Sequence, residues 1–343
     1  MSTNIRRNPE SLAFGPGQPS RTSIVVAALR AFGAREPDPS VRNPDSLAEQ
    51  MLTPDALQLI TEHPIAAALT QNYQDARKSR EVAGMSNLML VRTRYVDECM
   101  QRALAAGANQ VVILGAGFDT RAYRFAGQLK DKKIFEVDYQ STQEIKKRRL
   151  KEVFGALPGH VRFTEIDFKK DALRDVLSAA GYQPAEKTFF IWEGVSMYLT
   201  EPAVRGTLRT IATDSAPGSS LVMDFAERAI IDMLAKLPHL SQHNYTTHWG
   251  EPWIFGVPDM REREFFRECG LEVREILSVF GPEAVKRYLT RTDGTKLGTI
   301  RGGPPRHRAL STTLRVLWMF LTRRSRWYAL AEVVVDDKRG QVT

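Results

Sequence analysis

After Gly107 the sequence alternates short apolar runs, rich in β-branched and aromatic residues, with longer stretches of helical periodicity. Strands that alternate with helices in this way predict βαβ units, a mainly parallel sheet and helices on both of its faces. The predicted strands are residues 110–114, 133–137, 161–166, 188–192, 219–224, 271–277 and 328–335. We therefore predict an α/β fold with a doubly wound, mainly parallel seven-stranded sheet, whose last strand follows a long excursion of the chain.

The segments around the predicted strands give the domain organisation. Residues 1–19 are predicted to be a tail, and residues 20–106 an N-terminal helical region in several pieces. Residues 107–343 are predicted to form the domain that holds the sheet, with a substrate cap inserted at about 238–258 and a basic segment at 284–330. Within the helical region, breaks are expected at Pro64 and Gly84.

Composition indicates the class of protein and its compartment. Apolar residues make up 43% of the chain and charged residues 26%, which is typical of a folded globular protein. No apolar run approaches the roughly 20 residues that a membrane span requires, and no apolar segment follows the basic N-terminus as in a secretory signal. The two cysteines, Cys99 and Cys269, form no CxxC pair. We therefore expect reduced thiols, a cytoplasmic location, no membrane partner and no metal site.

Positive charge is concentrated near the C-terminus. Residues 284–330 contain 11 Lys or Arg and one acid, so this segment carries +10 whereas the whole chain carries +8. The rest of the chain is therefore slightly acidic. This distribution favours an anionic small-molecule substrate or an acidic protein partner beside the segment, or else a solvated basic face. A nucleic-acid partner is disfavoured, because the segment has neither an aromatic-basic signature nor a helix-turn-helix pattern.

The turn after the first predicted strand is the most informative motif. Residues 111–114 are apolar and lead directly into Gly115, Ala116 and Gly117, and a helix is predicted to follow. Glycine at such a turn permits positive φ and lets a ligand approach the backbone closely. The next strand ends in Asp138, 21 residues beyond Gly117, where a doubly wound fold places the carboxylate that binds ribose hydroxyls. This spacing predicts an adenosine-containing cofactor; a simple tight turn and a helix cap are the alternatives.

Two details of the turn argue against a nicotinamide or flavin dinucleotide. Thr120 occupies the position where the dinucleotide fingerprint has a third Gly or Ala. Asp119 would lie close to a pyrophosphate, which is an unfavourable contact between like charges. A cofactor with an amine, a carboxylate and an adenosine but no phosphate fits better. The sequence thus predicts S-adenosyl-L-methionine as cofactor, with S-adenosyl-L-homocysteine as its product.

Polar residues follow two further predicted strands, at the edge where open α/β sheets bind ligands. Asp167 and Phe168 follow the third strand and are predicted to hold the amino group and the face of an adenine; a helix cap is the alternative for Asp167. Glu193 follows an entirely apolar strand, where an unpaired carboxylate is costly. We predict that the ammonium or sulfonium side of the ligand neutralises Glu193; an internal arginine is the alternative.

Four sequence motifs, taken together, resemble a known enzyme family. They are GAGFDTR at 115–121, FEVD at 135–138, EGVSMYL at 193–199 and GEPWIFG at 250–256. This combination resembles the leucine carboxyl methyltransferase family of S-adenosylmethionine-dependent O-methyltransferases, and within it the bacterial small-molecule branch that includes polyketide carboxyl methyltransferases of the tetracenomycin type. The resemblance extends over about residues 22–280. It implies a class I methyltransferase with a Rossmann-like fold and a role in secondary metabolism.

The resemblance also implies roles for individual residues. Arg92 matches the family arginine that binds the methionine carboxylate, and Arg94 is a competing match. The other matches are Gly115 and Gly117 along the methionine portion, Asp138 at the ribose, Asp167 with Phe168 at the adenine, and Glu193 as the strand-end acid. Residues 43–47 depart from the family, which often has an Asp-Pro-Tyr-Ala-like run there. This departure leaves the identity of the methyl acceptor open.

The methyl acceptor determines which side chains the reaction needs. A carboxylate acceptor is ionised at neutral pH and needs no general base, whereas a phenol with a pKa near 10 benefits from one. Because the resembled family acts on carboxyl groups, we favour the carboxylate of a polyketide or aromatic metabolite. The catalytic candidates are Tyr198, on the acceptor side, and His243 and His248 in the predicted cap. Alternatives are a phenol or hydroxyl acceptor, a protein C-terminal carboxylate, and a non-catalytic module that binds S-adenosylmethionine or nucleic acid.

Overall fold

The computed structural model describes residues 20–168, 170–236, 246, 249–298 and 327–336. The predicted tail, part of the predicted cap and part of the basic segment lie outside these residues. A search of the helices in the described residues finds no apolar stretch of membrane-spanning length.

A seven-stranded sheet forms the centre of the described structure. Its strands are β1 (Gln110–Leu114), β2 (Lys133–Asp138), β3 (Val161–Glu165), β4 (Thr188–Trp192), β5 (Ser220–Ala226), β6 (Leu271–Ser278) and β7 (Tyr328–Val335). Their order is β3-β2-β1-β4-β5-β7-β6; β7 runs antiparallel to both neighbours, and the other pairs are parallel. Each strand lies within two residues of its predicted bounds. The predicted α/β fold with a doubly wound, mainly parallel sheet is confirmed.

Helices precede the sheet and connect its strands. They are α1 (Arg21–Ala34), α2 (Ala48–Met51), α3 (Pro54–Gln58), α4 (Pro64–Thr70), α5 (Tyr73–Ala76), α6 (Arg80–Ala105), α7 (Arg121–Arg124), α8 (Ala126–Leu129), α9 (Gln140–Phe154), α10 (Leu173–Ala179), α11 (Glu201–Thr213), α12 (Arg228–Lys236), α13 (Glu262–Glu268) and α14 (Pro282–Tyr288). Short 3₁₀ turns lie at Pro39–Val41 and Ser196–Tyr198.

One of the two predicted breaks in the N-terminal helical region is observed. Helix α4 begins at Pro64, but the predicted break at Gly84 is wrong, because α6 continues through it. Ser79 caps α6 at its start, where its Oγ accepts the Val82 N–H at 3.4 Å. A glycine inside a helix costs only about 1 kcal/mol relative to alanine. Burial of one face of α6 against α1 and the sheet offsets that cost.

Both faces of the central strands are buried. Along β1, Val111 and Ile113 belong to an apolar cluster that includes α1 and α6, whereas Val112 and Leu114 belong to a second cluster on the other face. All five residues of β1 and all five of β4 are buried. Burial on both faces explains why these runs are continuously apolar and do not alternate with polar residues.

The sheet order creates a crevice between two of the parallel strands. The direction in which successive strands are added to the sheet reverses between β1 and β4, since β2 and β3 lie on one side and β5 lies on the other. In open α/β sheets ligands bind at this switch point, outside the carboxyl ends of the strands. Gly115 follows β1 and Glu193 follows β4 at this point, while Asp138 ends the neighbouring β2. The fold therefore brings these three residues to one edge of the sheet.

Candidate functional site

The turn after β1 packs closely against two neighbouring segments. Gly115 and Gly117 have φ angles of 65° and 43°, in the left-handed region that favours glycine. The N–H groups of Gly115 and Ala116 donate to the Val137 carbonyl oxygen at 2.7 and 3.2 Å. A Cβ on Gly115 would lie 2.2 Å from Val195 Cγ2, which is too close for two carbon atoms. Position 115 therefore requires glycine both for conformation and for space.

Replacing Gly115 by alanine is expected to lower the free energy of unfolding by roughly 2–4 kcal/mol, because left-handed strain adds to the overlap with Val195. Chemical denaturation would measure this loss. Gly127→Ala is the matched control, since Gly127 lies in α8 with open space at its Cβ position and should keep or slightly gain stability. Equal stability of the two variants would contradict the close approach.

The Asp138 carboxylate fastens the glycine turn to the end of β2. Its Oδ2 accepts the Gly117 N–H at 2.5 Å, and its Oδ1 accepts the Tyr139 N–H at 2.6 Å. Burial raises the pKa of Asp138, against the opposing effect of these two donors. The structure thus places Asp138 beside the glycine turn, while its role at a ribose stays a prediction.

Asp167 and Phe168 follow β3, next to the end of β2. The Tyr139 hydroxyl donates to Asp167 Oδ1 at 3.2 Å, and the Lys170 ammonium lies 3.0 Å from Asp167 Oδ2. Phe168 is half-buried and packs against the apolar cluster on its face of the sheet. Our sequence reasoning missed Tyr139, although an aromatic residue directly after a strand-end acid is a signal for it. Tyr139 joins Asp167 and Phe168 on the β2–β3 side of the crevice.

A buried ion pair lies at the switch point between β1 and β4. Arg92 on α6 places Nη2 2.7 Å from Glu193 Oε1, and Arg121 on α7 places Nη1 2.8 Å from Glu193 Oε2. The side chains of Arg92 and Glu193 are only 5% and 8% exposed. Burial by itself would raise the pKa of Glu193, but the guanidinium groups of Arg121 and Arg92 hold it well below its usual range. In this structure internal arginines, the alternative that the sequence left open, neutralise Glu193.

The structure separates the two competing arginines of α6. Arg94 donates to the carbonyl oxygens of Pro39, Ser40 and Arg42 at 2.8, 2.7 and 2.9 Å. These contacts hold α6 against the loop that follows α1. Arg92, two residues earlier, lies on the face of α6 that meets the strand ends.

The ion pair continues into a buried network of charges behind the glycine turn. Arg121 also pairs with Asp97 at 2.7 Å and with Asp119, and Asp97 pairs with Arg124 at 3.0 Å. Arg124 in turn lies 3.6 Å from Asp45, in the segment that departs from the family pattern. Because Arg121 neutralises Asp119, the expectation that Asp119 would repel a pyrophosphate loses its basis. Within this turn, only Thr120 then argues against a dinucleotide cofactor.

An open cleft of about 670 Å³ lies on the outer side of this network. Its lining includes Asp97, Arg124, Phe154 and the competing arginine, Arg94, but not Arg92 or any of the predicted cofactor residues at the strand ends. Arg94 is held by backbone carbonyls, and Asp97 and Arg124 pair with each other. The cleft is therefore separate from the crevice at the strand ends.

Tyr198 lies in the 3₁₀ turn after β4, close enough to Arg92 for the two groups to interact electrostatically. The Met197 carbonyl oxygen accepts the Ile254 N–H at 2.8 Å, which fixes this turn against the described end of the predicted cap. Burial raises the pKa of Tyr198, and the nearby Glu251 carboxylate raises it further. Tyr198 is therefore a neutral O–H donor at neutral pH.

The other catalytic candidates, His243 and His248, lie outside the described residues and stay predictions. Within the residues that the structure describes, no group of three or more His, Cys, Asp or Glu side chains is arranged to hold a metal ion.

The described arginines of the basic segment pair with acids of the same chain. Arg287 lies 2.8 Å from Glu98, and Arg291 lies 3.2 Å from Glu36. Both contacts join residues after β6 to the N-terminal helical region. In this part of the segment the arginine side chains therefore form ion pairs within the fold.

Proteins of known description resemble the chain over more than half its length. The model of the family described as leucine carboxyl methyltransferase matches residues 23–212. A Bacillus subtilis (strain 168) protein, named as an S-adenosyl-L-methionine-dependent methyltransferase, is 30% identical over 66% of this chain and 74% of its own length. A protein of the same description from Mycolicibacterium smegmatis is 38% identical over 61% of this chain and 68% of its own. Another, from Mycobacterium avium (strain 104), is 34% identical over 74% of this chain and 88% of its own length.

Proposed function

Because the chain belongs to the leucine carboxyl methyltransferase family and is an S-adenosyl-L-methionine-dependent methyltransferase, we propose that it methylates an oxygen atom of a small-molecule acceptor. The acceptor that we favour is the carboxylate of a polyketide or aromatic secondary metabolite. The Arg92–Glu193 pair at the switch point supports the cofactor site, and Tyr198 in the turn after β4 is the observation that carries the choice of acceptor.

The methionine end of the cofactor carries a carboxylate and an ammonium group side by side. The crevice offers a guanidinium and a carboxylate 2.7 Å apart, both shielded from water, where each attracts an opposite charge strongly. Arg92 would hold the cofactor carboxylate and Glu193 its ammonium group. Arg121 stays on the other oxygen of Glu193 and keeps that side chain ionised.

The remaining strand ends suit the rest of the cofactor. Gly115 and Gly117 carry no side chains, so a ligand in the crevice would lie against the bare backbone of this turn. Asp138 would accept the ribose hydroxyls. Asp167 would accept the adenine amino group while Phe168 packs on the ring. In this proposal the predicted helical region, residues 20–106, supplies Arg92, and the predicted sheet domain supplies the groups at the strand ends.

The acceptor side of the crevice supports a carboxylate. The cofactor supplies a methyl group on a positively charged sulfur, and the acceptor oxygen displaces the sulfur in line, leaving a neutral thioether. The protein has to hold the acceptor oxygen close to the methyl group and in line with it. Tyr198, whose phenol is protonated at neutral pH, can donate its O–H to one oxygen of an ionised carboxylate while the other oxygen attacks.

One observation favours a hydroxyl acceptor as the second candidate. Glu251 is buried close to Tyr198, and burial raises the pKa of this carboxyl group. A carboxylate with a raised pKa is a better general base, and a phenol or alcohol benefits from such a base. Glu251 also accepts the Ser20 hydroxyl at 3.2 Å, at the start of α1. This contact gives it a structural role as well.

Methyl transfer from cofactor with a labelled methyl group tests the proposal. The protein is incubated with a pool of aromatic carboxylic acids and, separately, with the phenols of matching ring structure. Labelled product that releases methanol in mild alkali is a carboxyl ester, which is the expected result. Alkali-stable product, an ether, would instead support the hydroxyl acceptor.

Two outcomes would overturn the proposed function. Calorimetry that detects S-adenosylhomocysteine binding, together with no transfer to either pool, would indicate a cofactor-binding protein without this acceptor class. Methylation of the C-terminal carboxylate of an acidic protein, with small acids untouched, would assign the acceptor to a protein.

A further inference from the structure

Two residues outside the family motifs contact the guanidinium of Arg92. Asp224 on β5 is fully buried, and its Oδ2 lies 3.3 Å from Arg92 Nε. Tyr328, the first residue of β7, accepts a hydrogen bond from Arg92 Nη1 at 3.2 Å and donates its own hydroxyl to Asp224. Gly194 N–H donates to the other oxygen of Asp224 at 2.8 Å. Each polar group of this cluster therefore has a defined partner.

The cluster depends on how β7 enters the sheet. Strand β7 inserts antiparallel between β5 and β6, with Tyr328 opposite Ala226 and Leu330 opposite Asp224. This register brings the Tyr328 hydroxyl to the carboxyl end of β5, beside the switch point. The Tyr328 ring also lies 5.9 Å from the Trp253 ring, which packs it from the acceptor side.

From these contacts we infer that Tyr328, acting with Asp224, positions Arg92 for the methionine carboxylate, so that β7 contributes to cofactor affinity. The inference rests on the proposed role of Arg92. Without a ligand, Arg92 Nη2 and Glu193 neutralise each other. A zwitterion that binds between Arg92 and Glu193 separates the two side chains. Each of them then needs a second contact, on the side away from the ligand, to keep its position. Arg121 holds Glu193, and Tyr328 with Asp224 holds Arg92.

The protonation state of Tyr328 suits this role. Burial raises the pKa of Tyr328 well above its ordinary value, and Asp224 raises it further against the opposing effect of Arg92. The phenol therefore keeps its proton throughout the neutral range. It can donate to Asp224 and accept from Arg92 at the same time, which fixes the direction of both groups.

Tyr328→Phe tests the inference, because it removes one hydroxyl and keeps the ring that packs on Trp253. Two probes are titrated calorimetrically: S-adenosylhomocysteine, and 5′-methylthioadenosine, which lacks the amino acid end. The variant is expected to bind S-adenosylhomocysteine about 5- to 30-fold more weakly, as for a lost hydrogen bond to a charged group, with 5′-methylthioadenosine changed less than about twofold. The KM for S-adenosylmethionine should rise by a similar factor, and kcat should stay within about twofold.

Tyr182→Phe is the matched control. Its hydroxyl is also hydrogen bonded inside the fold, to Ser215 at 3.1 Å and Thr188 at 3.3 Å. Thr188 begins β4, whereas Glu193, the partner of Arg92, follows the opposite end of that strand. This variant loses comparable internal hydrogen bonds and should bind both probes as the wild type does. A matching loss of S-adenosylhomocysteine affinity in Tyr182→Phe would overturn the inference, because general stability would then explain it.

The two probes also separate this inference from the proposed function. Equal weakening of both probes in Tyr328→Phe, or no weakening of either, would overturn the positioning role. If the wild type itself bound both probes equally well, the amino acid end would not be recognised at all. The proposed roles of Arg92 and Glu193 would then be wrong.

Discussion

Arg92→Gln is expected to reduce the affinity for S-adenosylhomocysteine by at least about 30-fold. The variant removes one charge of a buried pair and leaves the ligand carboxylate without its cation, and truncating one partner of such a pair costs about 2–5 kcal/mol. Isothermal titration would measure the dissociation constant. Circular dichroism and the thermal midpoint would show whether the fold survives, since Arg121 remains to neutralise Glu193.

Arg94→Gln provides a matched control on the same helix. Arg94 contacts backbone carbonyls of the Pro39–Arg42 loop, so its loss should lower stability modestly and leave the dissociation constant within about twofold. The opposite pattern, with affinity lost in Arg94→Gln and retained in Arg92→Gln, would assign the methionine carboxylate to the other arginine. Arg92→Lys keeps a positive charge and serves as the second variant if Arg92→Gln does not fold.

The sheet could be predicted from the sequence because its strands are short apolar runs bounded by polar or glycine-containing turns. Strands β1 and β4 are buried on both faces, so each is apolar without interruption after its first residue. The cofactor prediction is also confirmed by the family and its relatives. The cofactor prediction depended on the turn at Gly115 and on Asp138. These residues are close in sequence, and the βαβ unit that contains them determines their relative positions.

Contacts between distant parts of the chain could not be predicted in the same way. The sequence favoured Arg92 but left Arg94 as a competing match, because only the packing of α6 decides which side chain meets the strand ends. The partners of Glu193 were left open for the same reason. Asp224 and Tyr328 are 104 residues apart, and their contact follows from the register of an antiparallel strand that no local pattern specifies. The one sequence signal for this contact was Asp224 itself, an acidic residue inside an apolar strand.

The break predicted at Gly84 shows a limit of a different kind. A local preference of about 1 kcal/mol was outweighed by tertiary packing along a 26-residue helix. The local residue pattern around Gly84 contains no measure of that packing.

Tyr198→Phe is expected to lower kcat/KM for a carboxylate acceptor by about 10- to 100-fold, because a hydrogen bond to a charged oxygen is lost. Cofactor affinity should stay within about twofold. Tyr288→Phe is the control: this buried tyrosine donates to Glu98 at 2.7 Å on the outer side of α6, and its loss should leave kcat/KM unchanged. Equal defects in both variants would assign Tyr198 a structural role only.

The same assays decide between the two acceptor classes through Glu251, His243 and His248. With a carboxylate acceptor no proton has to be removed, so Glu251→Gln, His243→Ala and His248→Ala should each cost less than roughly tenfold in turnover. With a phenol, loss of the true base should cost about 10²- to 10⁴-fold. The pH profile follows the same reasoning. A carboxylate acceptor is fully ionised above about pH 6, so the rate should be flat from there upward. A rate that rises through the pKa of one group, together with a deep defect in the variant lacking that group and intact cofactor binding, would overturn the carboxylate acceptor and identify the base.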